Sequence, residues 1–276
     1  MKTASRSVLL FCSMAAVGLL VTSARAATTG SDNAAAYSGA NNWSPANGGS
    51  GFGAWVFSNT GTPNQSGNFI GSSTSNGGTG GGTNGSSLGI DTSGNAWGLY
   101  GNSGQTANAT RPFTGTLSIG QTVSIDIDQG FEQGGSVVGI GLQNGAGSNL
   151  VEVYYAGGDS VNSWKKNDSG GQANLSPNVG FTSNGLHLSI TLNTATTYSG
   201  TLAQLNGGSA SASFSGTLIS QTDEGIAQIR LFNFNAGSGG AANAFFNNLA
   251  IVPEPSTMAL VGLGLFGALA LRRRKV

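Results

Sequence analysis

Apolar and polar side chains alternate with a period of two through the middle of the chain. The alternation is clearest in five segments: 123–128, 138–142, 151–155, 186–192 and 227–231. A period of two is that of a β-strand with one buried face, and clusters of Gly, Asn and Ser separate the segments as turns do. No segment shows the 3.6-residue period of an amphipathic helix. The pattern therefore predicts roughly a dozen short strands.

These strands fit one all-β domain over residues 27–251, a two-sheet sandwich or jelly roll, because two packed sheets bury one face of each strand. Residues 71–87 contain only Gly, Ser, Thr and Asn, so we expect a flexible surface loop there. No internal repeat has a stable period, which disfavours a solenoid or a propeller.

The first 26 residues have the three parts of a secretory signal peptide. A positive start is followed by a largely apolar run over 8–21, and Ala24 and Ala26 stand where signal peptidase reads small residues. Cleavage is predicted after Ala26. It removes Cys12, which is the only cysteine, so the mature chain is predicted to have neither disulfides nor thiolate chemistry.

The C-terminal segment also has three parts. A rigid lead-in comes first: Val252, Pro253, Glu254 and Pro255. Residues 256–271 are mostly apolar and predict a short membrane helix of about 24 Å, less than the roughly 30 Å of a hydrocarbon core. A basic stop closes the chain: Arg272, Arg273, Arg274 and Lys275. The positive-inside rule would keep this stop in the cytoplasm and place the body outside.

Together, the three parts over residues 252–276 resemble a PEP-CTERM protein-sorting signal. The resemblance implies recognition by a membrane-embedded exosortase, cleavage near the Pro-Glu-Pro motif, and signal peptidase as the N-terminal processing partner. It implies an inner-membrane stage before processing, and then the cell envelope, cell surface or extracellular matrix. An ordinary tail anchor is the alternative.

Charge is scarce and unevenly placed. Only 8% of the residues are charged, and 47 are glycine. Residues 27–251 carry four basic and ten acidic residues, a formal charge of −6, while basic residues cluster near both ends. An acidic body excludes a general nucleic-acid binder and is typical of an exported domain between membrane-directed signals.

The late segments 225–235 and 243–251 read as two strands. They are similar to the last strands of concanavalin-like sandwiches, the fold of legume lectins and glucanases, and that resemblance implies a sheet face that meets carbohydrate. Aromatic rings stack on sugar faces, although in a sandwich they more often belong to the core. Five aromatic residues are the candidates: Trp97, Tyr100, Tyr154, Tyr155 and Trp164.

Asp126 and Asp128 share one strand face, about 7 Å apart. Three interpretations stay open: solvated surface acids, a calcium site, or a glycosidase pair. The concanavalin-like glucanases carry a Glu-x-Asp-x-x-Glu motif, and here Ser124 stands at its first Glu. We therefore predict no catalytic residues. His187, the only histidine, is expected in a surface or partly buried structural role.

The sequence thus predicts an exported, non-enzymatic envelope or matrix protein associated with polysaccharide, with no cofactor unless calcium binds. One alternative is a secreted concanavalin-like hydrolase or lyase. Its carboxylates would come from Asp126, Asp128, Glu132 or Glu152. A further alternative is a self-assembling surface protein, since low charge and exposed edge strands favour association.

Overall fold

The computed structural model describes residues 29–38, 43–75, 89–182, 184–220 and 225–253. These residues form fifteen β-strands and three short 3₁₀ turns. In chain order the strands are β1 (Gly30–Asp32), β2 (Val56–Thr60), β3 (Ser66–Gly71), β4 (Ala96–Gly101), β5 (Thr106–Pro112), β6 (Gln121–Asp128), β7 (Val137–Gln143), β8 (Asn149–Ala156), β9 (Lys165–Asp168), β10 (Gly171–Asn174), β11 (Leu186–Leu192), β12 (Thr197–Gln204), β13 (Ser211–Thr217), β14 (Gln228–Phe234) and β15 (Ala244–Pro253).

The strands pair antiparallel in two sheets, which confirms the predicted sandwich. The eight-stranded sheet runs β13-β12-β11-β6-β15-β4-β3, with β1 paired to β15. The seven-stranded sheet runs β10-β9-β8-β7-β14-β5-β2. Inward side chains of both sheets form one core, to which β6 contributes Ile125 and Ile127 and the other sheet contributes Ile140 and Leu231.

An ion pair lies at one side of this core. Arg111 of β5 points inward and is fully buried, 3.0 Å from the carboxylate of Asp32. Its guanidinium also donates to the carbonyls of Ala46 (2.8 Å) and Gly48 (2.5 Å), and Tyr37 donates its hydroxyl proton to Asp32. This network connects β1 and the loop that follows it to β5 of the seven-stranded sheet.

The two ends of the body lie side by side. Gly30 of β1 pairs with Ile251 of β15, and Pro253 pairs with Gln121 of β6. The last strand therefore includes Val252 and Pro253, which the sequence pattern assigned to the sorting signal. Gly71 likewise belongs to β3 rather than to the predicted loop.

Three predicted segments fall outside the described residues: the signal peptide, most of the Gly/Ser loop, and the sorting signal after Pro253. Within the described ranges, none of the helical segments has the length and apolar character needed to cross a bilayer. The predicted helix over 256–271 lies outside the described residues, so this finding does not apply to it.

Replacing Arg111 by Met is expected to destabilise the body by about 3–5 kcal/mol, because it leaves the Asp32 carboxylate buried without its cation. The measurement is the free energy of unfolding from urea denaturation. Lys165→Met is the matched control. It breaks the more exposed pair with Asp159 and should cost less than about 1 kcal/mol. Equal stability of the two variants would contradict the structural role of Arg111.

Candidate functional site

The outer face of the seven-stranded sheet carries a groove. Two adjoining cavities of about 420 and 400 Å³ lie along it, and both are bordered by Asn108 and Arg230. The antiparallel register brings outward side chains of neighbouring strands to common levels. At one level Asn108, Phe232 and Tyr154 lie on β5, β14 and β8. At the next, Arg230 and Glu152 lie on either side of β7.

Glycine occupies the two positions of β7 that lie in register with these side chains. Gly139 lies between Phe232 and Tyr154, and Gly141 lies between Arg230 and Glu152. A Cβ atom on Gly139 would come within 2.4 Å of the Val153 carbonyl oxygen, so no larger residue fits there without a shift of the backbone. The absence of a side chain at Gly139 lets the backbone and Cβ of Tyr154 approach β7 closely.

The Glu152 carboxylate is fully engaged. One oxygen accepts from Arg230 (2.8 Å) and Asn149 (2.6 Å), and the other accepts from Asn167 (2.9 Å). The Arg230 guanidinium also lies 4.6 Å from the ring centroid of Phe232, a cation–π contact. Burial lowers the pKa of Arg230, and the charge of Glu152 opposes that shift.

A second ion pair, Lys165 with Asp159, lines the same groove. The four charged side chains of the groove therefore balance. Burial, followed by the charges of Glu152 and Asp159, raises the pKa of Tyr154, so its phenol stays protonated at neutral pH. The groove thus presents aromatic rings, amides and a neutral hydroxyl with no net charge.

The five predicted aromatic residues go to different places. Tyr154 forms a wall of the groove. Trp97 and Trp164 are fully buried, so both belong to the core instead of facing a ligand. Tyr100 is half-buried on the other sheet beside Phe69, and Tyr155 packs against Trp164 on the opposite face of β8 from Tyr154.

Asp126 and Asp128 are also outside the groove, on the outer face of the eight-stranded sheet. They are 8% and 1% exposed, so neither is a freely solvated acid. Asp126 lies 2.6 Å from Nδ1 of His187 and accepts a hydrogen bond from Asn248 (2.7 Å). In the part of the chain that the structure describes, no three His, Cys, Asp or Glu side chains gather in a way that could hold a metal. Calcium binding stays a prediction.

Three residues of the groove were not among those predicted from the sequence: Arg230, Phe232 and Phe234. The signal was present, because Ile229 and Leu231 occupy the alternating core positions and so place these three side chains on the outer face. On this outward face Phe234 is 37% exposed, whereas Phe232 is 6% exposed and has the Arg230 guanidinium over its ring.

The C-terminal residues match a known family model. Residues 252–275 match the PEP-CTERM protein-sorting motif, which confirms the predicted resemblance. The motif indicates an exported, envelope-sorted protein. It spans less than a tenth of the chain and leaves the body unassigned. No curated protein matches the sequence.

Solved structures with related folds include both enzymes and sugar-binding proteins. The PL-14 alginate lyase of Aplysia kurodai is 12% identical, with a TM-score of 0.41 over 59% of this chain and 85% of its own. Lectin UEA-II, solved with galactose, is 8% identical, with a TM-score of 0.41 over 80% and 97%. Similarity at this level carries no functional assignment.

The contact between His187 and Asp126 predicts a pH-dependent contribution to stability. The hydrogen bond to Asp126 raises the pKa of His187, and desolvation only partly offsets it. The stabilisation that this contact gives the folded state should be fully present below the pKa of His187 in the unfolded chain, about 6.5. It should be lost as the pH rises through the higher pKa of His187 in the folded state. The difference in melting temperature between wild type and His187→Gln should therefore shrink from pH 5 to pH 9.

Ser189→Ala on the same strand face is the control, and its difference from wild type should not vary with pH. A His187→Gln difference that grows towards alkaline pH would refute the assignment.

Proposed function

We propose that this protein is an exported envelope or matrix protein that binds polysaccharide in the groove of its seven-stranded sheet without cleaving it. The observation that carries the proposal is the aromatic lining of the groove, where Phe234 is 37% exposed and the rings of Tyr154 and Phe232, 7% and 6% exposed, lie on either side of Gly139. Their strands are two spacings apart, about 10 Å. A sugar ring fits this width and presents C–H groups to aromatic planes.

Hydroxyl groups of a bound sugar would meet donors and acceptors along the groove. Asn108 and Gln172 line it with side-chain amides, and Thr106 adds a hydroxyl. The charges of Arg230 and Lys165 are balanced by those of Glu152 and Asp159. A groove without net charge favours a neutral polysaccharide over an acidic one, since an acidic chain would need unpaired cations to offset its desolvation.

The distribution of carboxylates supports binding over hydrolysis. Glycoside hydrolysis needs two carboxyl groups roughly 5–9.5 Å apart on either side of one bond. Of the four candidate acids, only Glu152 lies in the groove. Glu132 lies in a separate cavity, and Asp126 and Asp128, which are about 7 Å apart, lie on the other sheet away from the groove. Glu152 is held by Arg230 and two amides, which leaves it without the freedom of a nucleophile or acid.

The sorting motif supports delivery to the envelope. We infer that signal peptidase removes the N-terminal segment and that an exosortase acts on the C-terminal one, after an inner-membrane stage. The acidic body and its lack of cysteine after predicted cleavage agree with an extracytoplasmic location.

Tyr154→Ala and Phe232→Ala should each weaken binding of a neutral polysaccharide at least tenfold, since each removes one wall of the groove. Affinity electrophoresis in gels containing a β-glucan or a mannan, with alginate as the acidic comparison, measures this. Tyr100→Ala, an aromatic truncation on the other sheet, is the control and should bind as wild type. Release of reducing sugar from these polymers, abolished by Asp126→Ala, would favour the hydrolase alternative instead.

Mass spectrometry of the mature protein from its host tests the sorting proposal. We expect an N-terminus at Ala27 and loss of the C-terminal apolar and basic residues. An uncut chain recovered from the cytosol would contradict export, and an intact C-terminus in the membrane fraction would favour a tail anchor.

A further inference from the structure

A separate cavity of about 220 Å³ shares no lining residue with the groove. Three aromatic side chains and one acid border it: Phe131, Tyr155, Phe181 and Glu132. This concentration of rings around a carboxyl group is not used by the proposed polysaccharide site.

Glu132 is buried without a partner. The residue is 7% exposed, and neither carboxylate oxygen makes a hydrogen bond. The neighbouring hydroxyl of Ser136 donates its proton to the Gln133 carbonyl at 2.6 Å instead. Burial raises the pKa of Glu132 to about 8, against a smaller opposing influence of Ser136. An unpaired buried carboxyl costs folding free energy, and a cationic partner bound in the cavity would offset that cost.

The described residues have no unpaired basic side chain to supply a counter-ion. Every basic side chain in the described ranges is committed to another carboxylate. The pairs are Arg111–Asp32, Lys165–Asp159, Lys166–Asp168, His187–Asp126 and Arg230–Glu152. A counter-ion for Glu132 must therefore come from outside these residues.

The walls of the cavity are held in place. The Tyr155 hydroxyl donates to Asn162 (3.0 Å), and the backbone N–H of Phe181 donates to the same oxygen (2.8 Å). The rings of Tyr155 and Phe181 meet edge to face with centroids 6.3 Å apart. Phe131, 36% exposed, stands at the solvent side. Aromatic faces attract cations and suit ammonium groups in particular.

We propose that this cavity binds an organic ammonium group, with Phe131, Tyr155 and Phe181 around it and Glu132 as its counter-ion. Two sources share this chemistry: the protonated amine of an amino sugar and a methylated amine. The proposal stands independently of the groove, since the two sites have no residue in common.

Binding should be linked to the release of a proton from Glu132, because a bound cation favours the carboxylate. Below pH 8 the apparent affinity should fall about tenfold for each pH unit, and above pH 8 it should level off. Two other ionisable groups adjoin the site. Burial and the charge of Glu132 raise the pKa of Tyr155, which stays protonated, and Asp159 is paired with Lys165.

The test is calorimetric titration of the full chain with tetramethylammonium, whose charge does not depend on pH, and with tert-butyl alcohol as a neutral analogue. We expect the cation to bind and the alcohol not to bind. The affinity for the cation should rise about tenfold from pH 6.5 to 7.5. Glu132→Gln should weaken binding at least tenfold at pH 8.5 and remove the pH dependence.

Phe131→Leu, a change at the exposed rim that should not disturb folding, should also weaken binding, whereas Tyr100→Ala on the other sheet should not. Equal binding of the cation and the alcohol, or unchanged affinity in Glu132→Gln, would overturn the proposal. Comparison of the affinities for glucosamine and tetramethylammonium at pH 7 distinguishes the two sources. Tighter binding of glucosamine identifies an amino sugar, and tighter binding of tetramethylammonium identifies a methylated amine.

Discussion

The buried ion pair between Arg111 and Asp32 is the interaction on which the two ends of the fold depend. Arg111 belongs to the seven-stranded sheet, and Asp32 ends β1, which pairs with β15 of the other sheet. Neighbouring side chains of β5 face the groove, so the same strand anchors the first segment of the body on its inner face and supplies Asn108 on its outer face. Removal of the Arg111 side chain would therefore disturb contacts of both sheets.

Scarcity of cations governs the chemistry of the surface. The described body has five basic side chains, and each has an acidic partner. The pairs at Glu152 and Asp159 make the groove neutral, and the absence of a remaining basic side chain in the described ranges leaves Glu132 unpaired. The small number of basic residues thus explains the charge of two surfaces. The groove is neutral, and the cavity beside Glu132 has no positive charge from the described residues.

The strands could be predicted from the sequence where the alternation is strict, as in 123–128 and 186–192. A strict two-residue period indicates a β-strand with one buried face. Burial of Trp97 and Trp164 was not readable, since an aromatic ring suits both a core and a ligand surface. Arg111 was missed because an inward-facing arginine breaks the polar-outward rule and its partner is 79 positions away. Glu132 was named only as a catalytic guess, since its isolation depends on where every other charge lies.

The position of Pro253 has a mechanical consequence. Chain tension transmitted from the C-terminal segment enters β15 along its length, while β6 and β1 flank that strand on its two sides. The load then falls on many interstrand hydrogen bonds in shear at once, rather than opening them one after another as in peeling. Until the sorting segment is removed, a pull along β15 from that end is therefore shared by the strands on both of its sides.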